Sequence, residues 1–251
     1  TALGIQGTVK GNLSLTAGNT ITDSDALIVS GTTAVTTDVD DKTITLDETD
    51  NAFTGNVTVT TQGTAGHVTI DNGTTALGIQ GTVKGNLSLT AGNTITDSDA
   101  LTVSGTTLIN TDIDSQAITI DESDNAFTGA VTIKAGNGSG ILGNLTFTNT
   151  NGINVNSSAA SNGDLYINAD NDGKITGNVN LTATTGNITQ NSTLTVTGTS
   201  AFTTSANNSA ITLNETDNAF TGNVTVTTQG TTGHVTIDNG TTALGIQGTV
   251  K

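Results

Sequence analysis

The residues able to do chemistry in this chain are almost all acidic. Asp47-Glu48-Thr49-Asp50-Asn51 returns as Asp121-Glu122-Ser123-Asp124-Asn125 and as Asn214-Glu215-Thr216-Asp217-Asn218. Asp23 and Asp25 precede Asp40 and Asp41 by nearly one repeat unit, and Asp97 and Asp99 precede Asp112 and Asp114 similarly. If that interval is one turn of a coil, the two pairs stack as neighbours. Asp170-Asn171-Asp172-Gly173 is a further loop of calcium-binding character. Oxygen ligands carried on loops suit Ca²⁺, and a cation would relieve like-charge repulsion between adjacent turns. Asp23, Asp25, Asp40, Asp41, Asp97, Asp99, Asp112 and Asp114 are therefore the candidate metal ligands, with Ca²⁺ the candidate ion. The competing reading is a set of solvated turns that keep the chain soluble. The EF-hand spacing and the glycine-rich nonapeptide calcium repeat are both absent.

Catalysis finds little to work with. A β-helical polysaccharide lyase or hydrolase needs a clustered acid and base, and a lyase commonly sets Arg or Lys against the substrate carboxylate. Here there is no Arg, and the two histidines, His67 and His234, are copies of one repeat position. His67 reads as a turn residue before Val68. No catalytic residue is assigned, and the chain is expected not to be an enzyme. Sugar binding by ring stacking needs exposed aromatics; Tyr166 is the one good candidate, and the five Phe read as core or corner fillers.

The composition narrows the partners. Twenty-two acidic residues against six lysines give a net charge of −16. Such a balance argues against nucleic acid and anionic membranes, which require a basic patch. No apolar run approaches the length of a membrane span. Without Cys there is no disulfide framework, and that absence alone identifies no compartment. High charge and few aromatics can signal disorder, but the apolar residues here are too regular for that.

The regularity is one of repeats. Residues 1–27 recur unchanged at 75–101, an offset of 74. Residues 50–84 recur at 217–251 with one change, Ala65 to Thr232, an offset of 167. ITLDETDNAF at 44–53 becomes ITIDESDNAF at 118–127 and ITLNETDNAF at 211–220, and the second interval is longer than the first. If that excess is one inserted unit, the unit is about 18–19 residues, the size of a β-helix turn. On that division the shorter offset is four turns, the longer nine, and the chain makes about thirteen turns in a rod roughly 65 Å long.

Short segments alternate apolar and polar residues, as in Leu13-Ser14-Leu15, Ile44-Thr45-Leu46, Val57-Thr58-Val59 and Val68-Thr69-Ile70. Period two places the aliphatic pair inside and Ser or Thr outside. Gly-Asn pairs at 11–12, 55–56, 85–86, 177–178 and 222–223 mark corners, because both residues tolerate the left-handed backbone of a sharp turn. Six or so residues per face give three faces. No segment carries helical spacing. The expected fold is all-β, a right-handed parallel β-helix with about 18–19 residues per rung. It is one continuous unit over 1–251, built of super-repeats 1–74, 75–167 and 168–241 with another beginning at 242–251. A single rung cannot offset its ordering entropy, so stacking must stabilise it. Flat arrays of outward Thr would suit ice binding only if Thr kept one face in successive turns. The uneven spacing of the Gly-Asn corners predicts instead that the Thr pairs change face.

At GNLSLTAGNTIT (11–22 and 85–96) and GNVNLTATTGNITQ (177–190) the sequence resembles the repeats of filamentous-haemagglutinin-like exoproteins. Those are giant bacterial adhesins secreted by the two-partner route, with right-handed β-helical shafts. The resemblance implies an extracellular or cell-surface location and a structural shaft of a filament or adhesin. An adhesive module that itself binds host or neighbouring cells is the alternative, and a carbohydrate-active β-helix enzyme the third. The first and last ten residues are the same TALGIQGTVK, so the chain reads as a slice of a longer polypeptide with both ends open. The expected partners are copies of itself, end to end or side by side in a fibre.

Overall fold

The computed structural model describes residues 1–136, 140–156, 164–167 and 174–251. Among the described residues there is no helix, and none therefore to cross a membrane. The chain is an all-β, parallel solenoid of about ten turns. Two long parallel sheets, of 13 and 12 strands, face each other across the core, and a short 3-stranded sheet closes part of one edge.

The alternating segments behave as the pattern requires. Ile44, Leu46, Val57, Val59, Val68 and Ile70 are buried, while Thr45, Thr58 and Thr69 face outward. Leu13 and Leu15 also point inward but are only half-buried, because they lie in the first turn and have core on one side alone. Like residues stack in columns: Ile21, Ile44, Val68 and Leu87 pair in succession along the first long sheet. Each new turn covers the aliphatic row of the one before, so burial is a property of the stack rather than of any turn.

The turn is longer and more elastic than the repeat offsets suggest. Leu3 pairs with Ile21, Ile21 with Ile44, Ile44 with Val68 and Val68 with Leu87, so the first and last of these returns are short and the two between them longer. Strand pairing dictates only the stacking; the loops between sheets vary at little cost. Ten turns at about 4.8 Å make a rod of roughly 48 Å, shorter than thirteen turns would give.

The shorter sequence offset, from residues 1–27 to 75–101, is consequently three and a half turns, not four. Leu3–Val9 lies in the first long sheet and its copy Leu77–Val83 in the second. Ile44–Leu46, Ile118–Ile120 and Ile211–Leu213 fall in the first, second and first sheet in turn. The longer offset is seven turns and returns to the same sheet. The extra residues of the second interval do not make a whole turn either. They include the strand Asp164–Ile167, which enters the first sheet between Val131–Ala135 and Ile153–Asn156.

The half-turn step also moves the third wall. Residues 27–29 carry a pairing with Ala52–Phe53 on one edge, and residues 101–103 one with Ala126–Phe127 on the opposite edge. The short sheet of Lys174–Ile175, Thr195–Val196 and Ala219–Phe220 returns the wall to the first edge. Phe53, Phe127 and Phe220, one position in three copies, are all buried in this wall.

Candidate functional site: the acidic turns

Asp23 and Asp25 lie on Ile21–Val29 in the first sheet; Asp40 and Asp41 lie at the end of Thr33–Asp40 and in the turn after it, in the second. They do not stack. The turn next to Asp23 is the one carrying Asp47, because Ile21 pairs with Ile44, and Asp40 is paired with Gln62. The expectation of stacked pairs assumed a turn as short as the interval from Asp23 to Asp40. The actual step, from Ile21 to Ile44, is longer and shifts the partner along the chain.

Six of these eight carboxylates accept a local hydrogen bond. Asp23 accepts the backbone N–H groups of Asp47 and Glu48 at 3.2 and 3.3 Å and the Asn51 carboxamide at 2.6 Å. Asp97 repeats this with Asp121, Glu122 and Asn125. In the third copy the position is Gln190, whose Oε1 accepts from Asn218 Nδ2 at 3.0 Å and from Glu215 N at 3.4 Å. A neutral amide thus performs the same cap.

The same exchange occurs at the left-handed corner. Asp41 has φ 60° and accepts the N–H groups of Thr64 and Ala65, both at 2.8 Å. Those two bonds hold its carboxyl below the usual carboxylate range. Its counterpart Asn208, φ 65°, accepts from Thr231 and Thr232 in the same way. Asp25 and Asp99 accept from the N–H of the residue that follows, Ala26 and Ala100. Asp112 accepts from Asn110 at 2.9 Å, and Asp114 has one enclosed oxygen without a hydrogen-bond partner. No group of three or more His, Cys, Asp or Glu gathers around a common point among the described residues. Residues 170–173 lie outside them.

Burial raises the Asp71 carboxyl above its usual range, and the charges of Asp112, Asp47 and Asp23 add to the rise against the Gly73 N–H that lowers it. His67 is exposed and accepts the Asn86 N–H on Nδ1 at 2.8 Å, stitching one turn to the next.

The residues that sequence reasoning passed over are buried asparagines. Asn51, Asn125 and Asn218 close the three acidic turns, yet each is at most 1% exposed. Their Oδ1 atoms accept the backbone N–H of Leu27, Leu101 and Leu194 one turn back. Asn72, Asn149 and Asn239 do the same for Phe53, Phe127 and Phe220. The signal for the first three was an Asn directly before Ala-Phe in every copy, hidden by the acids beside it.

The outward threonines correct a further expectation. Thr16, Thr36, Thr60, Thr82 and Thr102 stack on successive turns of one face. So do Thr182, Thr203, Thr227 and Thr249, with Thr148 next in the same register but buried. Super-repeats change face, but each sheet draws its outward Thr from different parts of the repeat. The adjacent outward column mixes Ser14, Ala34, Thr58 and Gln80, so the hydroxyls form a single file and not a two-dimensional lattice. A shallow depression of about 500 Å³ on the first sheet has Lys134 as the one titratable group in its lining.

With caps, ladders and half-turn copies in view, the sequence comparison has a structural counterpart. Residues 1–60, 65–134 and 170–227 match the family described as repeats of unknown function (DUF5649). The chain belongs to that family. Neither a curated protein nor a solved structure matches it. Each of the three matched stretches contains one acidic turn closed by a buried asparagine, Asn51, Asn125 or Asn218.

Proposed function

We propose that this DUF5649 chain is a length of structural shaft from an extracellular filament or giant surface adhesin of the filamentous-haemagglutinin-like kind, with no catalytic role. The observation that carries the reading is the replacement of Asp23 and Asp97 by Gln190, and of Asp41 by Asn208, with the hydrogen bonds kept. Sites that exchange acid for amide between copies act as spacers and caps. An acid–base pair needs the charge, and a Ca²⁺ site loses affinity as its carboxylates become amides. The acidic surface then serves solubility and keeps neighbouring rods from collapsing together, and the partners are copies of the same chain in a fibre.

The test is electron microscopy of the secreted parent material, paired with a cell-binding assay on residues 1–251. Straight fibres with a segment that does not bind cells support the shaft. Binding by the segment alone would make it an adhesive module, and compact particles without fibres would sink the reading.

A further inference from the structure

Four departures from the repeat come together in the middle copy. Residues 102–136 follow residues 28–62 and 195–229 position by position. Leu108 stands where the other copies have Ala34 and Ala201, and Asn110 where they have Thr36 and Thr203. Ala130 replaces Asn56 and Asn223, and Lys134 replaces Thr60 and Thr227. On adjacent strands of the first long sheet Leu108 pairs with Thr132 and Asn110 with Lys134, and these four are half-buried on its outer face. In the other two copies the same outward positions hold only Ala and Thr.

Three of the four line the depression of about 500 Å³, a volume within the range of small-ligand sites. Ala130 stops at Cβ where its counterparts carry a carboxamide, Leu108 supplies an apolar wall, and Lys134 supplies the charge. Among the described residues neither Lys134 nor the hydroxyls of Ser88 and Thr132, which also line it, have a hydrogen-bond or ion-pair partner. Asn86 accepts the Thr106 N–H on Oδ1 at 3.0 Å, which fixes its carboxamide and leaves the NH₂ group to donate. Asp112, engaged by Asn110 at 2.9 Å, lies outside the lining. On the next strand of the same outward column Thr132 pairs with Tyr166, the one tyrosine of the chain, itself half-buried.

We propose that this depression binds a carboxylate-bearing sugar unit, of the hexuronate class, within an oligosaccharide. The Lys134 ammonium takes the carboxylate. The Asn86 NH₂ and the Ser88 and Thr132 hydroxyls take ring hydroxyls, and Leu108 with Ala130 meets the apolar face of the ring. Tyr166 stands where the next sugar along the rod would lie. A bare anion would leave Leu108 without a use, and a neutral sugar would leave the Lys134 charge unmatched. The net charge of −16 does not forbid an acidic ligand here, because no acid lines the depression and exposed charges beyond about 8 Å are largely screened at physiological ionic strength. A shallow site with one charge contact should bind with a Kd on the order of 1 mM, too weak to hold a cell by itself. The site goes beyond the shaft reading and does not depend on it: it gives the flank of the rod one place to take up acidic polysaccharide.

The test is an NMR titration of the chain grown with isotope-labelled lysine, which gives one backbone amide signal for each of six lysines. The Lys134 signal is identified by its loss in Lys134→Arg. An oligogalacturonate should shift that signal saturably and leave the other five in place. Its methyl ester, with the same ring and no charge, and polyglutamate, with the charge and no ring, should each bind about tenfold more weakly or worse. The double variant Leu108→Ala/Ala130→Asn restores the residues of the other copies and keeps Lys134; it should melt like the parent chain and bind about tenfold more weakly. Overturning results are no saturable shift at Lys134, a response spread evenly over all six lysines, equal binding of the ester or of polyglutamate, or undiminished binding by the folded double variant. A Lys134 shift on raising protein concentration alone would make the depression a contact between copies and also sink the proposal. If the double variant does not fold, the ester and polyglutamate comparisons decide the matter on the parent chain. None of these results bears on whether the parent material forms fibres, so the shaft reading stands or falls separately.

Discussion

The backbone N–H of Leu27 donates to the carboxamide oxygen of Asn51 at 2.7 Å, in a contact that spans one turn of the solenoid and is sealed from solvent. Asn51 also donates to Asp23 at 2.6 Å, so one side chain ties the core wall to the acidic turn. Asn51→Ala removes the acceptor and leaves a buried N–H unsatisfied, which costs about 1–3 kcal/mol. Asn125→Ala should behave alike. Urea unfolding of each variant measures the loss, and a midpoint unchanged from the parent chain would show that water reaches the corner.

The Phe wall carries a larger share. Phe127 packs on Phe147 with ring centroids 5.2 Å apart, and both are at most 1% exposed. Phe127→Ala should cost roughly 3–5 kcal/mol, and Phe53→Ala a similar amount from the opposite edge. Near-parental melting of either variant would place that ring outside the core.

Some core positions hold the wrong chemistry for their surroundings. The hydroxyls of Thr33 and Thr107 are enclosed without a hydrogen-bond partner. Each sits between aliphatic residues of adjacent turns, Leu13 and Val57 for Thr33, Leu87 and Val131 for Thr107. Thr33→Val and Thr107→Val keep the shape and delete the stranded hydroxyl. Each should stabilise the fold by about 1 kcal/mol, seen as a raised denaturation midpoint. A lowered midpoint would reveal a partner for the hydroxyl.

Asp23 acts as a cap, so charge should matter less there than the acceptor. Asp23→Gln, which copies Gln190, should stay within about 1 kcal/mol of the parent, whereas Asp23→Ala should lose about 1–3 kcal/mol. Melting with millimolar Ca²⁺ or with chelator should give the same ranking. A calcium-dependent rise in Tm that Asp23→Gln abolishes would turn the cap into a ligand, since a ligand of the folded state stabilises it by mass action.

Two aspartates should respond to pH with opposite signs. Burial raises the Asp71 carboxyl in the folded chain, so its contribution is favourable below the unfolded value near 3.8 and is lost as pH rises through the folded value. Asp71→Asn should therefore raise Tm at pH 7, with the gain fading in acid. The Asp41 carboxyl is lowered by the Thr64 and Ala65 N–H groups, so its contribution is present above the unfolded value and lost as pH falls through the folded one. Asp41→Asn should flatten that acid limb. Melting curves from pH 3 to pH 7 test both, and parallel curves for parent and variants would sink both assignments.

The sequence alone determined the class of fold and the facing of its strands. Val57-Thr58-Val59 and Ile44-Thr45-Leu46 carry their orientation in a two-residue period, and near-identical copies leave room for little but a stack. Only the tertiary structure decided how many residues make a turn and what lies next to what. Pairing constrains the strands, whereas loops of differing length close the same turn, so the offset between 1–27 and 75–101 is compatible with four turns or with three and a half. That half turn placed Leu3–Val9 and Leu77–Val83 in opposite sheets and moved Phe127 to the edge facing away from Phe53. It also separated Asp23 from Asp40. The same uncertainty hid the buried asparagines. Asn51 reads as one more polar residue in an acidic loop until the neighbouring turn presents the N–H of Leu27, and a neighbour a full turn away along the chain is set by stacking, not by local sequence.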